Sequence, residues 1–477
     1  MCSLQRNNPS ISLFAALIPL LGLIIMLAFN VFVFGDNAIE GSNQFILLLG
    51  GVMACIVGYF YKIPFSFMIE NIATNIKSVS GSILILLLVG SLAASWLISG
   101  IIPAMIYYGI KLINPTLFLP TAVIISAIVS LATGSSWTTS ATIGIALIAI
   151  GKAMDISAGM VAGAVISGAY FGDKLSPLSD TTNLASAMSG ASLFDHIRYM
   201  LITTVPSLIV TLIVFSILSS SINSGTIAGT STILLAIERS FFITPWLFIV
   251  PVIVIGMIIY KVSPLIALFA GTLLGMCFSI FFQPMLVSGD FFSQYKFILG
   301  SVTTGVSIES SHIILNDLFM SGGMEGMLST IWLIICAMVF GGVMESIGAL
   351  IKLSSFLLSI GDSIFSLFAA TVGSCLTINL TASDQYLAIV VPGKMFSKAY
   401  KDHNLAPENL SRTLEDSGTV TSVLVPWNTC GAYQSSVLGV GVGEYFIYAI
   451  FNYVSPFMTL LFAAIHYKIK RINPSVE

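Results

Sequence analysis

The stretch most able to do chemistry runs from Gly172 to Asn183, GDKLSPLSDTTN. It places Asp173, Lys174, Asp180, four hydroxyls, an asparagine and a proline between two apolar runs, 156–170 and 184–193. Pro177 removes a backbone donor and disfavours helix at Ser176, so the helix should break here. A break at membrane depth persists only where it faces protein or a water-filled cavity, and such breaks are where secondary transporters hold ions. Further ionisable residues in apolar surroundings are Asp384, Glu415 and Asp416. Charge inside a membrane is costly and points to function. A sodium ion needs hard oxygen ligands, and a proton carrier needs a carboxylate able to exchange a proton near neutral pH. Asp180 with Ser179, Thr181 and Thr182 offers both kinds of group. Lys174 beside Asp173 is expected to neutralise it, and Arg412 to pair with Glu415 or Asp416 at helical spacing. Trp137, Tyr386 and Trp427, beside polar breaks, are expected to serve packing.

The elements that must hold these residues are membrane helices. Of 477 residues 56% are hydrophobic and 8% charged, whereas soluble domains carry roughly 25% charged residues. Spans are expected at 11–34, 45–61, 82–101, 156–192 (broken), 199–219, 242–260, 263–283, 326–350, 405–438 (broken) and 440–465. The first run is too long for a signal peptide. Ser220–Ser240 and Pro284–Met324 are expected to be exposed loops. The six cysteines, Cys2, Cys55, Cys277, Cys336, Cys375 and Cys430, contain no CxxC pair, and His196, His312, His403 and His466 lack metal-ligand spacing. Neither HExxH nor GxSxG occurs, which argues against an intramembrane enzyme.

Two apolar stretches do not suit single crossings. As one helix, 116–150 would be about 50 Å long against a hydrocarbon core of about 30 Å. Its middle is GSSWTTS, and 363–395 has a comparable polar middle, NLTASDQ. Both are expected to be re-entrant hairpins. An offset of 249 residues places Leu131 on Leu380, Pro177 on Pro426, and the Ser135 tip on Asp384. One register therefore aligns a hairpin and a broken helix, in order, which points to an internal repeat. If the hairpins do not cross, four spans separate the broken helices, so the repeats are inverted. Arg6, Lys62, Lys77, Arg198, Lys261, Lys352, Lys394, Lys398, Lys401, Lys468, Lys470 and Arg471 then fall inside, against Lys111, Lys152, Arg239 and Lys296 outside; crossing hairpins give the same balance of 12 against 4, so charge does not choose between the two arrangements.

The expected fold is thus an all-α polytopic membrane protein with two inverted repeats, each a re-entrant hairpin and a broken helix. The division is 1–81 (N-terminal spans), 82–198 (repeat 1, hairpin 116–150, broken helix 156–192), 199–325 (connecting spans and loops), 326–438 (repeat 2, hairpin 363–395, broken helix 405–438) and 439–477 (last span and tail).

GDKLSPLSDTTN at 172–183 closely resembles the signature of the NhaC family of sodium/proton antiporters. LATGSSWTTSATIG (131–144), LTASDQYLAIVVPGKMF (380–396) and LEDSGTVTSVLVPWNTCGAY (414–433) resemble its companion motifs. The resemblance spans about residues 10 to 465 and implies exchange of cytoplasmic sodium for external protons. In some relatives it implies a sodium-coupled exchange of organic acids such as malate and lactate. The expected ion and proton ligands are Asp180, Asp384, Asp173, Ser179, Thr181, Thr182, Asn428 and Thr429, with Ser135, Ser136, Ser383, Asp416 and Glu415 in support. Sodium is placed at the Asp180 and Asp384 regions. The partners are Na+ and H+, a small organic acid, the lipid bilayer and a second copy of the chain in a homodimer, with no cofactor and no nucleic acid. The location is the bacterial cytoplasmic membrane.

Overall fold

A backbone in hydrocarbon must satisfy its own hydrogen bonds, so the apolar runs fold as helices. The computed structural model describes residues 11–34, 41–112, 114–220, 227–310 and 313–472; Cys2, Arg6 and His312 lie outside these. Among the described residues, eight helices are long and apolar enough to cross a membrane, or up to ten if two bent pairs are counted as spans. The helix Leu193–Ser220 shows how such helices face. Ile209, Ile213 and Ile217 are exposed on one stripe, while Thr203, Ser207 and Thr211 are buried on another. The Ser207 and Thr211 hydroxyls donate to the carbonyls of Thr203 and Ser207, each at 2.7 Å, so they enter the interior already satisfied.

Both stretches too long for one crossing turn back on themselves. The first runs Phe118–Thr133, reverses at Gly134–Ser135, and returns over 136–153. Its two ends meet where Gly151 approaches the Phe118 ring. The second runs Ile364–Thr381, reverses at 382–384, and returns as Gln385–Asp402. Its ends meet through the Phe368 and Tyr400 rings, 5.3 Å apart, and the Thr371 and Tyr400 hydroxyls, 3.2 Å apart. Two helices are interrupted. Ala158–Leu175 stops, extended backbone follows at Ser176 and Ser179, and Asp180–Ser189 resumes. Likewise 407–424 stops, Val425 and Asn428 are extended, and Thr429–Leu438 resumes.

The offset of 249 residues holds in the backbone itself. Gly134 and Ser383 are both left-handed, at φ 72° and 60°. Ser135 and Asp384 each cap a returning helix, accepting from Thr138 and Leu387 amides at 3.2 and 2.9 Å. Ser130 donates to the Ala169 carbonyl at 2.5 Å where Asn379 donates to that of Gly418 at 2.8 Å. Both resumed helices end on left-handed glycines, Gly190 and Gly439.

Close packing anchors the first break to the first tip. Gly168 and Gly172 lie one helical turn apart, and a Cβ on either would come within 2.2–2.4 Å of a carbonyl oxygen of the Phe118–Thr133 helix. Small residues here let the two backbones touch.

Several linkers carry more structure than their polarity suggests. Residues 65–78 and 101–112 are helical, the first strongly amphipathic by sequence. The expected loop 284–324 contains a helix, Phe291–Thr304, and a two-residue antiparallel pairing, Val306–Ser307 with Met320–Ser321. The expected loop 220–240 contains the helix Ile227–Ser240. Scattered serines and glycines hid apolar residues at helical spacing in both.

Candidate functional site

The first tip and the first break together line a cavity of about 360 Å³. Thr133, Ser135, Trp137 and Thr138 come from the tip, and Asp173, Ser179, Asp180 and Thr181 from the break. Gln385 and Tyr386 come from the second tip, and Ser82, Lys261 and Ser263 also line the cavity. Among the described lining residues, two are carboxylates and one, Lys261, is a cation.

Asp173 is buried at 8% exposure and is held by the tip. Its Oδ2 accepts from the Ser136 amide at 2.9 Å and the Ser136 hydroxyl at 2.7 Å. These two bonds fix the carboxylate against the tip. Asp180, expected to be buried, is instead exposed to the cavity. It stands at the first position of its helix, where an acid complements the helix dipole. The Ser179 and Thr181 hydroxyls are 3.0 Å apart. Thr182 turns away from the cavity and donates to the Lys174 carbonyl at 3.1 Å, covering a carbonyl freed by the break.

The second tip and break are closed on one another. The Thr429 amide donates to the Ser383 carbonyl at 3.0 Å, and Asn428 donates to the Asn379 backbone and side-chain oxygens at 3.1 and 3.2 Å. Trp427 donates to the Leu380 carbonyl at 2.9 Å. Asp384 is buried, with its neighbours Gln385 and Tyr386 rather than itself facing the cavity. The Ser383 hydroxyl is buried with no hydrogen-bond partner among the described residues. Trp137 does pack, its ring stacked on Tyr433 at 3.9 Å between centroids, but it also forms cavity wall.

The charges at the breaks pair across the molecule, not along the chain. Lys174 does not neutralise Asp173. Its ammonium donates to Asp416 and, at 2.8 Å, to Ser455. Ser455 donates to the same Asp416 oxygen at 3.1 Å, and Thr459 donates to the other. Arg412 pairs with neither Glu415 nor Asp416. It is buried, its guanidinium 4.6 Å from the Tyr199 ring, with no hydrogen bond to a described residue. The turn from Arg412 to Glu415 is regular, the Glu415 amide donating to the Ser411 carbonyl, and the helix widens into a π turn only beyond it, at Glu415–Thr419, so helical spacing alone did not make the pair. Glu415 is buried near Asp173, Thr181 and Thr419, yet neither carboxylate oxygen has a hydrogen-bond partner among the described residues. Sequence reasoning read Asn379 and Gln385 only as the ends of the polar middle NLTASDQ, and missed Ser455 and Thr459, single polar residues inside an apolar run. Their only signal was polarity in a membrane segment.

Residues 168–466 match the Na+/H+ antiporter family. The chain is 37% identical over 415 residues to the Na(+)/H(+) antiporter NhaC of Alkalihalophilus pseudofirmus, covering 86% of this chain and 87% of that one. To the Na(+)/H(+) antiporter NhaC of Bacillus subtilis it is 35% identical over 418 residues, 87% of this chain and 90% of the relative. To the malate-2H(+)/Na(+)-lactate antiporter of Bacillus subtilis it is 35% identical over 458 residues, 94% and 92% of the two chains.

Proposed function

The chain belongs to the NhaC family of Na+/H+ antiporters, and from that premise we propose that it exchanges sodium for protons through the cavity at the first tip and break. It is a multi-pass membrane transporter, and we place it in the bacterial cytoplasmic membrane with sodium leaving the cell. The observation that carries the site assignment is the pairing of Asp173 and Asp180 with Ser135, Ser179 and Thr181 around one cavity. These are hard oxygen ligands with two negative charges, a set suited to a small cation. A sodium ion and a proton compete for the same carboxylates, so exchange needs no separate coupling device. Asp384, Ser383, Asn428 and Thr429 form the matching half-site, closed in this conformation.

Lys261 stands at the cavity wall between two spans, and re-entrant hairpins with an internal N-terminus put it on the cytoplasmic side. The cavity therefore faces inward. Two swapped contacts support a two-fold relation between the repeats: Gly144 lies against Leu438, and its counterpart Gly393 lies against Met188. With four spans between the interrupted helices, that relation is an inversion, which lets the same contacts close one side while opening the other.

The malate/lactate relative raises an organic acid as a second cargo. The cavity favours the cation alone, because Lys174 is committed to Asp416 and the described lining carries two carboxylates against one lysine, Lys261. Counterflow in proteoliposomes separates the readings. A sodium gradient should move protons without added organic acid, and a strict requirement for malate or lactate would reverse the assignment.

A further inference from the structure

Of the two ion pairs among the described residues, one is exposed on its lysine side and the other is wholly buried. The buried pair, Lys174 and Asp416, joins the two interrupted helices, and the last span completes its surroundings. The ammonium touches Asp416 Oδ1 and Ser455 Oγ, Thr459 occupies Asp416 Oδ2, and the Phe451 ring centroid lies 5.4 Å away. Apart from the ammonium, every polar atom in that group is an oxygen. Two such atoms, Asp416 Oδ1 and Ser455 Oγ, contact the compact point charge of the ammonium, and the linked Asp416 Oδ2 and Thr459 hydroxyl complete a cluster of four oxygens.

We propose that this is a second cation position, occupied by the side chain of Lys174 in place of a small monovalent ion. The tethered ammonium and a sodium ion make the same demand on their surroundings: one positive charge, oxygen contacts and shelter from lipid. Lys174 thereby fixes the ion load. Asp416 is compensated from within the chain and so does not attract cargo. Lys174 is a specificity-determining residue, setting how many cations the protein takes up at once. The inference rests on the sodium reading of the cavity for the parent protein's own ion count.

The test is Lys174→Ala, which vacates the position and leaves its oxygens in place, compared with Lys174→Ala/Asp416→Asn, which also removes the charge. Equilibrium binding of radioactive sodium to purified full-length protein should show one additional ion per chain in Lys174→Ala. The double variant should return to the parent's count. The thermal midpoint of Lys174→Ala should rise with sodium and not with choline at equal ionic strength. A folded Lys174→Ala with the parent's sodium count overturns the proposal. So does a Lys174→Ala that stays unfolded in saturating sodium, because sodium then cannot take the ammonium's place. A parent protein that binds no sodium would instead sink the cavity assignment, while a sodium ion gained by Lys174→Ala would still be visible.

Discussion

Gly134→Ala tests whether the first tip and first break form one unit. Gly134 is left-handed, with φ 72°, and there an L side chain costs about 1–2 kcal/mol. Its new methyl would lie 2.6 Å from Leu178 Cβ and 2.8 Å from the Leu178 carbonyl carbon. The second contact is backbone, so rotating a side chain cannot relieve it. Overpacking of this kind costs about 1–3 kcal/mol. The sum, about 2–5 kcal/mol, is a large share of the about 5–15 kcal/mol typical of a folded domain. Leu178 adjoins Ser179 and Asp180, so the displacement should reach the cavity and raise the sodium concentration needed for half-maximal exchange. Ser383 is the internal control. It holds the same left-handed conformation with a side chain already present, so Ser383→Gly should change stability by no more than about 1 kcal/mol. Thermal unfolding in detergent reads the stability, and sodium-driven proton movement in proteoliposomes reads the cavity. A Gly134→Ala protein with the parent's midpoint and sodium dependence would refute the close approach of tip and break.

Asp384→Asn keeps the shape and the acceptor for the Leu387 amide but removes the charge, so a folded variant should lose sodium-driven proton movement. Near-normal exchange would reduce Asp384 to a helix cap. If the cavity carboxylates bind either ion, apparent sodium affinity should weaken as pH falls, approaching about tenfold per pH unit for one competing proton. Asp180→Asn should lose the proton release that accompanies sodium binding, as calorimetry in buffers of different ionisation enthalpy would show. Sodium binding without proton release in the parent would refute a shared carboxylate. Single cysteines near Lys111 and near Lys152 should label from the same side, because the hairpin between them returns and Gly109 packs against Ile150. Labelling from opposite sides would remove the re-entrant arrangement.

Much of the architecture is local and was therefore legible in the sequence. Apolar runs of helical length, the glycine and hydroxyls after residue 133, and Pro177 and Pro426 each act on the backbone within a few residues. The offset of 249 was legible for the same reason, since both copies must satisfy the same freed backbone groups. Partner choice among the charges was not legible. Adjacency suggested Asp173 for Lys174, and helical spacing suggested Arg412 for Glu415. In the fold a helix sends consecutive side chains about 100° apart, so Asp173 meets Ser136 at the tip while Lys174 meets Asp416, 242 residues along the chain. Arg412 and Glu415 stand one regular helical turn apart, yet Arg412 lies against the Tyr199 ring on a different helix. Exposure was decided by packing as well. Asp173 and Asp180 look alike in GDKLSPLSDTTN, but the first ends a helix pressed onto the tip and the second begins one that borders open space. The sequence by itself determined where the chain breaks and which polar groups enter the membrane. Only the tertiary structure decided which of those groups meet, because burial is costly for each charge alone and its partner can come from any helix that packs beside it.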